Sequence, residues 1–297
     1  MHVESPTHER VLDLARGGEL RLVPGHPKLL AAVNVTPDSF SDGGRFLDAD
    51  RAVAQALRLA EEGADLLDLG AESTRPGGGV YGAGAREVPA AEELARLLPV
   101  LERLRPLTSL PISVDTRKAA VARAALAAGA DLVNDVSALG DPEMAEVVRA
   151  ARCPIVLMHS RGELASMQAA IAFDDVVAEV GRELVALRER AVAAGIVAER
   201  VLLDPGLGFG KSAAQNLALL GATAELAGLG SPLVVGASRK SFIGAVTGAA
   251  VGDRLPGSLA AAGRAAAGGA AILRVHDVAA TRQFLAVWHA IDNEVAR

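Results

Sequence analysis

Along the 297 residues, short apolar runs alternate with longer stretches in which apolar side chains recur every three or four positions. The runs are Leu30 to Val35, Leu66 to Leu69, Ile112 to Val114, Leu132 to Val136, Ile155 to Met158, Val201 to Leu203, Leu233 to Gly236 and Ile272 to Val275. Each is too short for a helix and is bounded by Gly, Pro, Asp or Asn, as strands buried on both faces are. Between them, helical stripes are formed by Val53, Ala56, Leu57 and Ala60, by Val176, Val177, Val180 and Leu184, and by Phe284, Trp288, Ile291 and Val295. Asp141-Pro142-Glu143 predicts a helix start, with Asp as cap and Pro in the first turn. Eight strand-helix units without a domain-sized linker predict a single α/β domain, a (β/α)8 TIM barrel over residues 29–297. Residues 1–28 precede it, and Gly17-Gly18, between Val11-Leu12 and Leu20-Arg21-Leu22, predicts a short hairpin that plugs the barrel's bottom. A doubly wound sheet is the competing architecture; the lack of a glycine fingerprint after the first strand counts against it.

Composition narrows the partners. The chain is 51% hydrophobic but 3% aromatic and carries a net charge of -6, which gives no basic footprint for nucleic acid. No run of about 18 uncharged apolar residues predicts a membrane span. The start Met1-His2-Val3-Glu4-Ser5-Pro6 lacks the basic and apolar segments of a secretion signal. The expectation is a cytoplasmic protein whose partners are neither nucleic acid nor membrane. Cys153, the single cysteine, excludes a disulfide within the chain and reads as a buried structural thiol beside the run from Ile155.

In a barrel of this type the active site stands at the carboxyl ends of the strands. Those positions hold Asn34, Asp68 with Glu72, Asp115, Asn134 with Asp135, His159, Asp204, Arg239 with Lys240, and Arg274 with His276. Asp115, Asn134 and Asp204 suit the donor-rich edge of a flat amino-heterocycle. Asn34, Arg75, Arg274 and His276 suit an anion, phosphate above all. His159 reads as a hydrogen-bonded structural residue and Arg239 as one half of a loop-ordering ion pair. The segment Leu203 to Ser212, LDPGLGFGKS, imitates a phosphate loop, yet Pro205 stands where the first glycine is required. Gly206, Gly208 and Gly210 also miss the dinucleotide spacing, so Lys211 is expected to be solvated.

Seven segments, in order and at compatible spacing from about residue 30 onward, resemble the successive motifs of the dihydropteroate synthases. They are Asn34 to Gly44 (NVTPDSFSDGG), Glu72 to Gly77 (ESTRPG), Ser113 to Thr116 (SVDT), Asn134 to Val136 (NDV), Asp204 to Lys211 (DPGLGFGK), Ser238 to Ser241 (SRKS) and Arg274 to Val278 (RVHDV). The resemblance implies a folate-pathway transferase that joins 6-hydroxymethyl-7,8-dihydropterin pyrophosphate to p-aminobenzoate and releases pyrophosphate, with Mg2+ as cofactor and a homodimer as the assembly. It places the pterin at Asp115, Asn134, Asp204 and Lys240, with Met158 and Phe209 as apolar neighbours. Pyrophosphate and Mg2+ fall on Asn34, Arg75, Arg274 and His276, with Asn34 as the metal ligand. Two loops, Thr36 to Arg45 and Glu72 to Glu87, bring Phe40, Asp42, Thr74 and Pro76 to the p-aminobenzoate site beside Ser241. The implied catalytic set is Asp42, Arg75, Lys240, Arg274 and His276. A pterin-dependent methyltransferase would share the barrel and the Asp-Asn-Asp pocket but has no use for Arg75, Arg274 and His276 as a pyrophosphate site. A catalytically silent pterin-binding paralogue is the non-enzyme alternative, and the intact Asp42 and Thr74-Arg75 motifs count against it.

Overall fold

The computed structural model describes residues 9–35, 45–72, 88–161 and 172–295. The chain opens with an antiparallel hairpin of β1 (Arg10–Asp13) and β2 (Glu19–Leu22). Its turn is closed by the Leu14 N–H donating to the Gly18 carbonyl at 3.0 Å, with Gly17 and Gly18 both at positive φ. Eight parallel strands follow: β3 (Lys28–Asn34), β4 (Leu66–Gly70), β5 (Ile112–Asp115), β6 (Leu132–Asp135), β7 (Ile155–Met158), β8 (Val201–Asp204), β9 (Val234–Val235) and β10 (Ile272–Val275). They lie in the order β8-β7-β6-β5-β4-β3-β10-β9. A parallel bridge between Leu203 and Leu233, with the Leu203 N–H on the Pro232 carbonyl at 3.0 Å, joins the two ends of that order. The ring is thereby closed, and each apolar run of the sequence supplies one stave of the predicted TIM barrel.

Helices fill the connections: α1 (Arg45–Glu61), α2 (Ala90–Leu104), α3 (Ala119–Ala127), α4 (Met144–Ala151), α5 (Val176–Ala193), α6 (Ala213–Gly221), α7 (Thr223–Ala227), α8 (Ser241–Thr247), α9 (Leu255–Ala267) and α10 (Val278–Val295). Successive strand side chains alternate between two environments. Leu29, Ala31 and Val33 of β3, with Leu67, Leu69, Ile155, Leu157, Val201 and Leu203, pack outward against the helix shell of Ala56, Leu97, Leu101 and Leu184. The intervening residues Leu30, Leu66, Leu132, Val156, Leu202, Val234 and Ile272 point inward and meet Leu12, Leu14, Leu20 and Leu22 of the hairpin. The hairpin is thus a greasy stopper in the amino-terminal end of the barrel.

That alternation also places the site. Two residues further along the strands, about 6–7 Å, the inward Leu66, Leu132, Val156, Leu202 and Ile272 give way to Asp68, Asn134, Met158, Asp204 and Arg274, and on β5 Ser113 gives way to Asp115. The interior passes from leucine to charge within two residues.

Three local expectations shift. The helix expected from Asp141-Pro142 begins at Met144, because the Asp141 carboxylate accepts the Glu143 N–H at 3.0 Å and the Ala119 N–H at 2.8 Å and so holds a turn that also starts α3. In α1 the buried face runs through Ala49, Ala52, Val53, Ala56 and Leu59, leaving Leu57 on its shoulder. In α10 the core face is Val278 and Leu285, and Ile291, expected inside, is 58% exposed. Cys153 is fully buried, and burial pushes its thiol up to about 12. No described helix is long and apolar enough to cross a membrane.

Candidate active site

At the centre of the barrel, Arg274 of β10 joins two acids from across the ring. Its Nε donates to Asp68 Oδ2 at 2.6 Å and its Nη2 to Asp115 Oδ2 at 2.9 Å. Asn134 Nδ2 adds a donor to Asp68 Oδ2 at 3.2 Å. Burial works to lower the Arg274 pKa, but the two carboxylates outweigh it and hold the guanidinium above its ordinary value. Asp115 goes the other way: burial, against the pull of Arg274 and with the push of Asp68, raises it to about 7. Asp68 Oδ1, Ser113 Oγ and Asp115 Oδ1 are all buried without a partner among the described residues. Such acceptors are costly unless a ligand or water meets them.

The end of β8 contributes Asp204, whose Oδ1 accepts the Gly206 N–H at 2.7 Å. Burial raises its pKa, opposed by that N–H and by Lys240. The strand then turns through Gly206, Gly208 and Gly210, all at positive φ. At Gly206 a Cβ would stand 1.9 Å from the His159 carbonyl oxygen, so only glycine lets the ends of β7 and β8 approach this closely. Lys240, just before α8, reaches back over this turn: Nζ donates to the Leu207 carbonyl at 2.5 Å and lies 4.3 Å from the centre of the Phe209 ring. Burial presses its ammonium down to about 8 although Asp204 favours the charge. Phe209, Met158 and Val136 form a small apolar cluster of their own.

Of the residues expected in the pterin pocket, Asp115, Asn134, Asp204, Lys240, Met158 and Phe209 therefore converge on one polar mouth with an apolar flank. Arg274, grouped beforehand with the anion ligands, is bonded to Asp115, grouped beforehand with the pterin. His276 follows the end of the same strand, β10, its Nδ1 3.1 Å from Ser238 Oγ. Asn34 ends β3, half-buried, and Ser241 opens α8. Phe40, Asp42, Thr74, Arg75 and Pro76 lie outside the described residues. His159 and Arg239 take the structural roles expected: His159 Nε2 meets Glu183 Oε2 at 2.8 Å, and Arg239 forks onto Asp277. Among the described residues, no three His, Cys, Asp or Glu side chains gather as a metal cage. A lone amide oxygen at Asn34 suits a cation such as Mg2+, which keeps several waters and takes one or two protein ligands together with substrate phosphates.

Two features exceed the sequence reading. Glu72 is buried and clips together the two ends of the segment 73–87: its Oε1 accepts the Val88 N–H at 3.0 Å, and its carboxylate receives Arg117 and, at 2.7 Å, Lys118. Lys118 Nζ is shared with Glu93 at 2.7 Å. These donors hold the Glu72 pKa below its usual range against the opposing effect of burial. Lys211 corrects an expectation, since it is 5% exposed rather than solvated. Only Asp68's place two residues after the inward Leu66 could have shown its role from sequence alone.

A closed barrel with a leucine floor and a mouth of paired acids, amide and bases defines an enzyme for a small polar ligand. Residues 30–276 match the family described as pterin binding enzyme. A dihydropteroate synthase of Escherichia coli (strain K12) is 43% identical over 273 residues, covering 92% of this chain and 94% of that protein. A probable bifunctional folylpolyglutamate synthase/dihydropteroate synthase of Haloferax volcanii is 48% identical over 250 residues, covering 84% of this chain but 29% of that longer protein. The dihydropteroate synthase of Xanthomonas albilineans with 4-aminobenzoic acid superposes with a TM-score of 0.87 at 51% identity, covering 96% of this chain and 99% of that one. The same enzyme in complex with 7,8-dihydropteroate gives a TM-score of 0.83 at 48% identity, with 95% and 98% covered. The chain belongs to the pterin-binding family and, within it, to the dihydropteroate synthases.

Proposed function

We propose that this chain condenses 6-hydroxymethyl-7,8-dihydropterin pyrophosphate with p-aminobenzoate to 7,8-dihydropteroate. The observation that carries this reading most directly is the buried pair Asp115 and Asp204 at the barrel mouth, beside Phe209 and Met158, with Asp115 Oδ1 left without a partner among the described residues. Carboxylates so placed receive the N–H edge of a pterin, Asn134 adds an amide, and Lys240 donates to a ring acceptor. The methylene C–O bond breaks with its electron pair going to pyrophosphate, and the arylamine nitrogen forms the new C–N bond and then loses a proton. The amine is neutral at pH 7, so the protein's task is to hold the leaving anion and keep water out. Arg75, Arg274 and His276 are the residues proposed to hold that anion, and Asp42 to stabilise positive charge on the pterin. Phe40, Thr74, Pro76 and Ser241 are proposed to border the arylamine. Mg2+ would be held by Asn34 and the phosphates, where it balances leaving-group charge. A homodimer and a cytoplasmic location belong to the same proposal; sedimentation of the purified protein tests the first.

The decisive assay is pyrophosphate release. Release that requires both the pterin ester and p-aminobenzoate is expected; its absence, or its independence of the arylamine, overturns the proposal.

Two binding measurements test the pocket. Asp204→Asn keeps the shape but turns one acceptor into a donor, so pterin affinity is expected to fall by about 2–4 kcal/mol, the loss of a charge-assisted bond together with a mispaired buried group. Calorimetry that finds no change removes Asp204 from the pterin edge. The second is pH. With Asp115 raised to about 7, a pterin that binds its ionised form must displace a proton below that pH, and affinity falls tenfold per unit. Above about 8 the Lys240 ammonium is lost. Pterin affinity should therefore peak between these values; a profile flat across them contradicts the assignment.

A further inference from the structure

Lys211 has one of the most confined side chains near the mouth and takes no part in the chemistry above. Its Nζ lies 3.0 Å from the Gly206 carbonyl, 3.0 Å from the Phe209 carbonyl, 3.0 Å from His159 Nδ1 and 3.4 Å from the His159 carbonyl. His159 presents Nδ1 as an acceptor because its other nitrogen is engaged by Glu183, and Arg161 holds Glu183 in turn. An ammonium has three donors, and this one divides them between the turn after β8 and His159 at the end of β7.

The turn it fills is the one that carries the pocket wall. Two ammonium groups divide its carbonyls, Lys211 taking Gly206 and Phe209, and Lys240 taking Leu207. Asn216 ties the far side, its Oδ1 accepting the Gly208 N–H at 2.6 Å and its Nδ2 donating to the Lys211 carbonyl at 3.1 Å. With the peptide planes fixed in this way, the Phe209 ring lies under Lys240 and the Gly206 N–H faces Asp204. Residues 206, 208 and 210 are glycines at positive φ, so the turn has little side-chain packing to hold its shape. Polar pinning substitutes for it.

We infer that Lys211 is a positioning residue for the pterin site: its ammonium, held between the ends of β7 and β8, sets the turn that presents Asp204, Phe209 and Lys240 to the pterin. It rests on the function proposed above, since the ligand it serves is a pterin. The groups that face it are His159 from β7, Glu183 from α5, Arg161, and Asp204 and Lys240 at the mouth. Burial lowers the Lys211 pKa to about 7, with Asp204 and Glu183 opposing it and Lys240 and Arg161 adding to it.

The test compares wild type with Lys211→Met and Lys211→Arg by calorimetry, using unphosphorylated hydroxymethyl dihydropterin and, separately, pyrophosphate. Methionine keeps the volume without the donors; arginine keeps the charge without the point-like fit. Both are expected to weaken the pterin at least tenfold, leave pyrophosphate within twofold, and raise the KM of the pterin ester more than they lower kcat. Pterin affinity within threefold of wild type in a folded variant overturns the inference. So does an equal loss of both ligands, which marks general damage to the barrel, or failure of both variants to fold, which makes Lys211 a folding determinant. If wild type itself binds no pterin, the functional proposal fails instead, a result the same titration reads separately.

Discussion

Arg274→Ala is expected to lose about 3–5 kcal/mol of folding stability, the range for removing one partner of a buried ion pair and stranding the other. Here two partners are stranded. Asp68 is fully buried and Asp115 nearly so, and Arg274 is the only cation bonded to either among the described residues. Lost packing contributes less, because the guanidinium side chain is 25% exposed. If charge is the cause, Asp68→Asn in the Arg274→Ala background should recover part of the loss, since the amide keeps the shape and an acceptor for Asn134 without the charge. The ligand side moves too. Without the guanidinium, burial of Asp115 is unopposed by its strongest partner, so its pKa climbs beyond about 7 and the pH at which pterin binding sets in rises with it. Binding of unphosphorylated pterin should then weaken at neutral pH along with pyrophosphate binding. Urea unfolding of the single and double variants, with pterin titrations at several pH values, reads all of this. A stability loss under 1 kcal/mol with an unmoved pH profile would show that Arg274 is not the counter-charge of the site.

The barrel was legible because its signal is repeated: the runs that begin at Leu30, Leu66, Leu132 and Ile272 are all short and apolar, and each becomes a largely buried strand. The gathering of the strand-end residues Asp115, Asn134 and Asp204 was legible for the same reason, since the carboxyl ends of parallel strands share one mouth. What failed to show was anything that depends on partners distant in sequence. Lys211 reads as an exposed lysine after a glycine turn until β7 places His159 against it, 52 residues away. Arg274 reads as a phosphate ligand, and that it also bonds an acid becomes visible only when β10 closes beside β3 and puts Asp68, 206 residues away, within 2.6 Å. Ile291 fits the helical stripe, but the period does not say where along α10 the barrel stops covering it. Periodicity gives the face of an element, and closure of the ring decides what that face meets.

Gly206→Ala is expected to be the most damaging single methyl in the pocket. Two costs add. The residue holds φ at +64°, a left-handed conformation that charges an alanine about 1–2 kcal/mol. Its Cβ would also lie 1.9 Å from the His159 carbonyl oxygen, an overlap with backbone that no side-chain rotation relieves. Overpacking of this sort typically costs about 1–3 kcal/mol, occasionally more. Relief requires the ends of β7 and β8 to part, and they are stitched there by the His159 N–H on the Asp204 carbonyl at 2.8 Å and by the Lys211 ammonium. Parting them withdraws Asp204 from the mouth, so stability and pterin affinity should fall together. Gly208→Ala is the control. It too has positive φ, but its Cβ would meet Lys240 Cδ at 3.0 Å, the middle of a flexible side chain that can swing aside. That substitution should spare more of the stability while still weakening pterin binding, because it moves the Lys240 ammonium off the Leu207 carbonyl. The pair is read by unfolding midpoints and pterin calorimetry on both proteins. If Gly206→Ala keeps the wild-type midpoint and affinity, the close approach of the two strand ends does not build the pocket, and the turn after β8 must be free to move without consequence for the ligand.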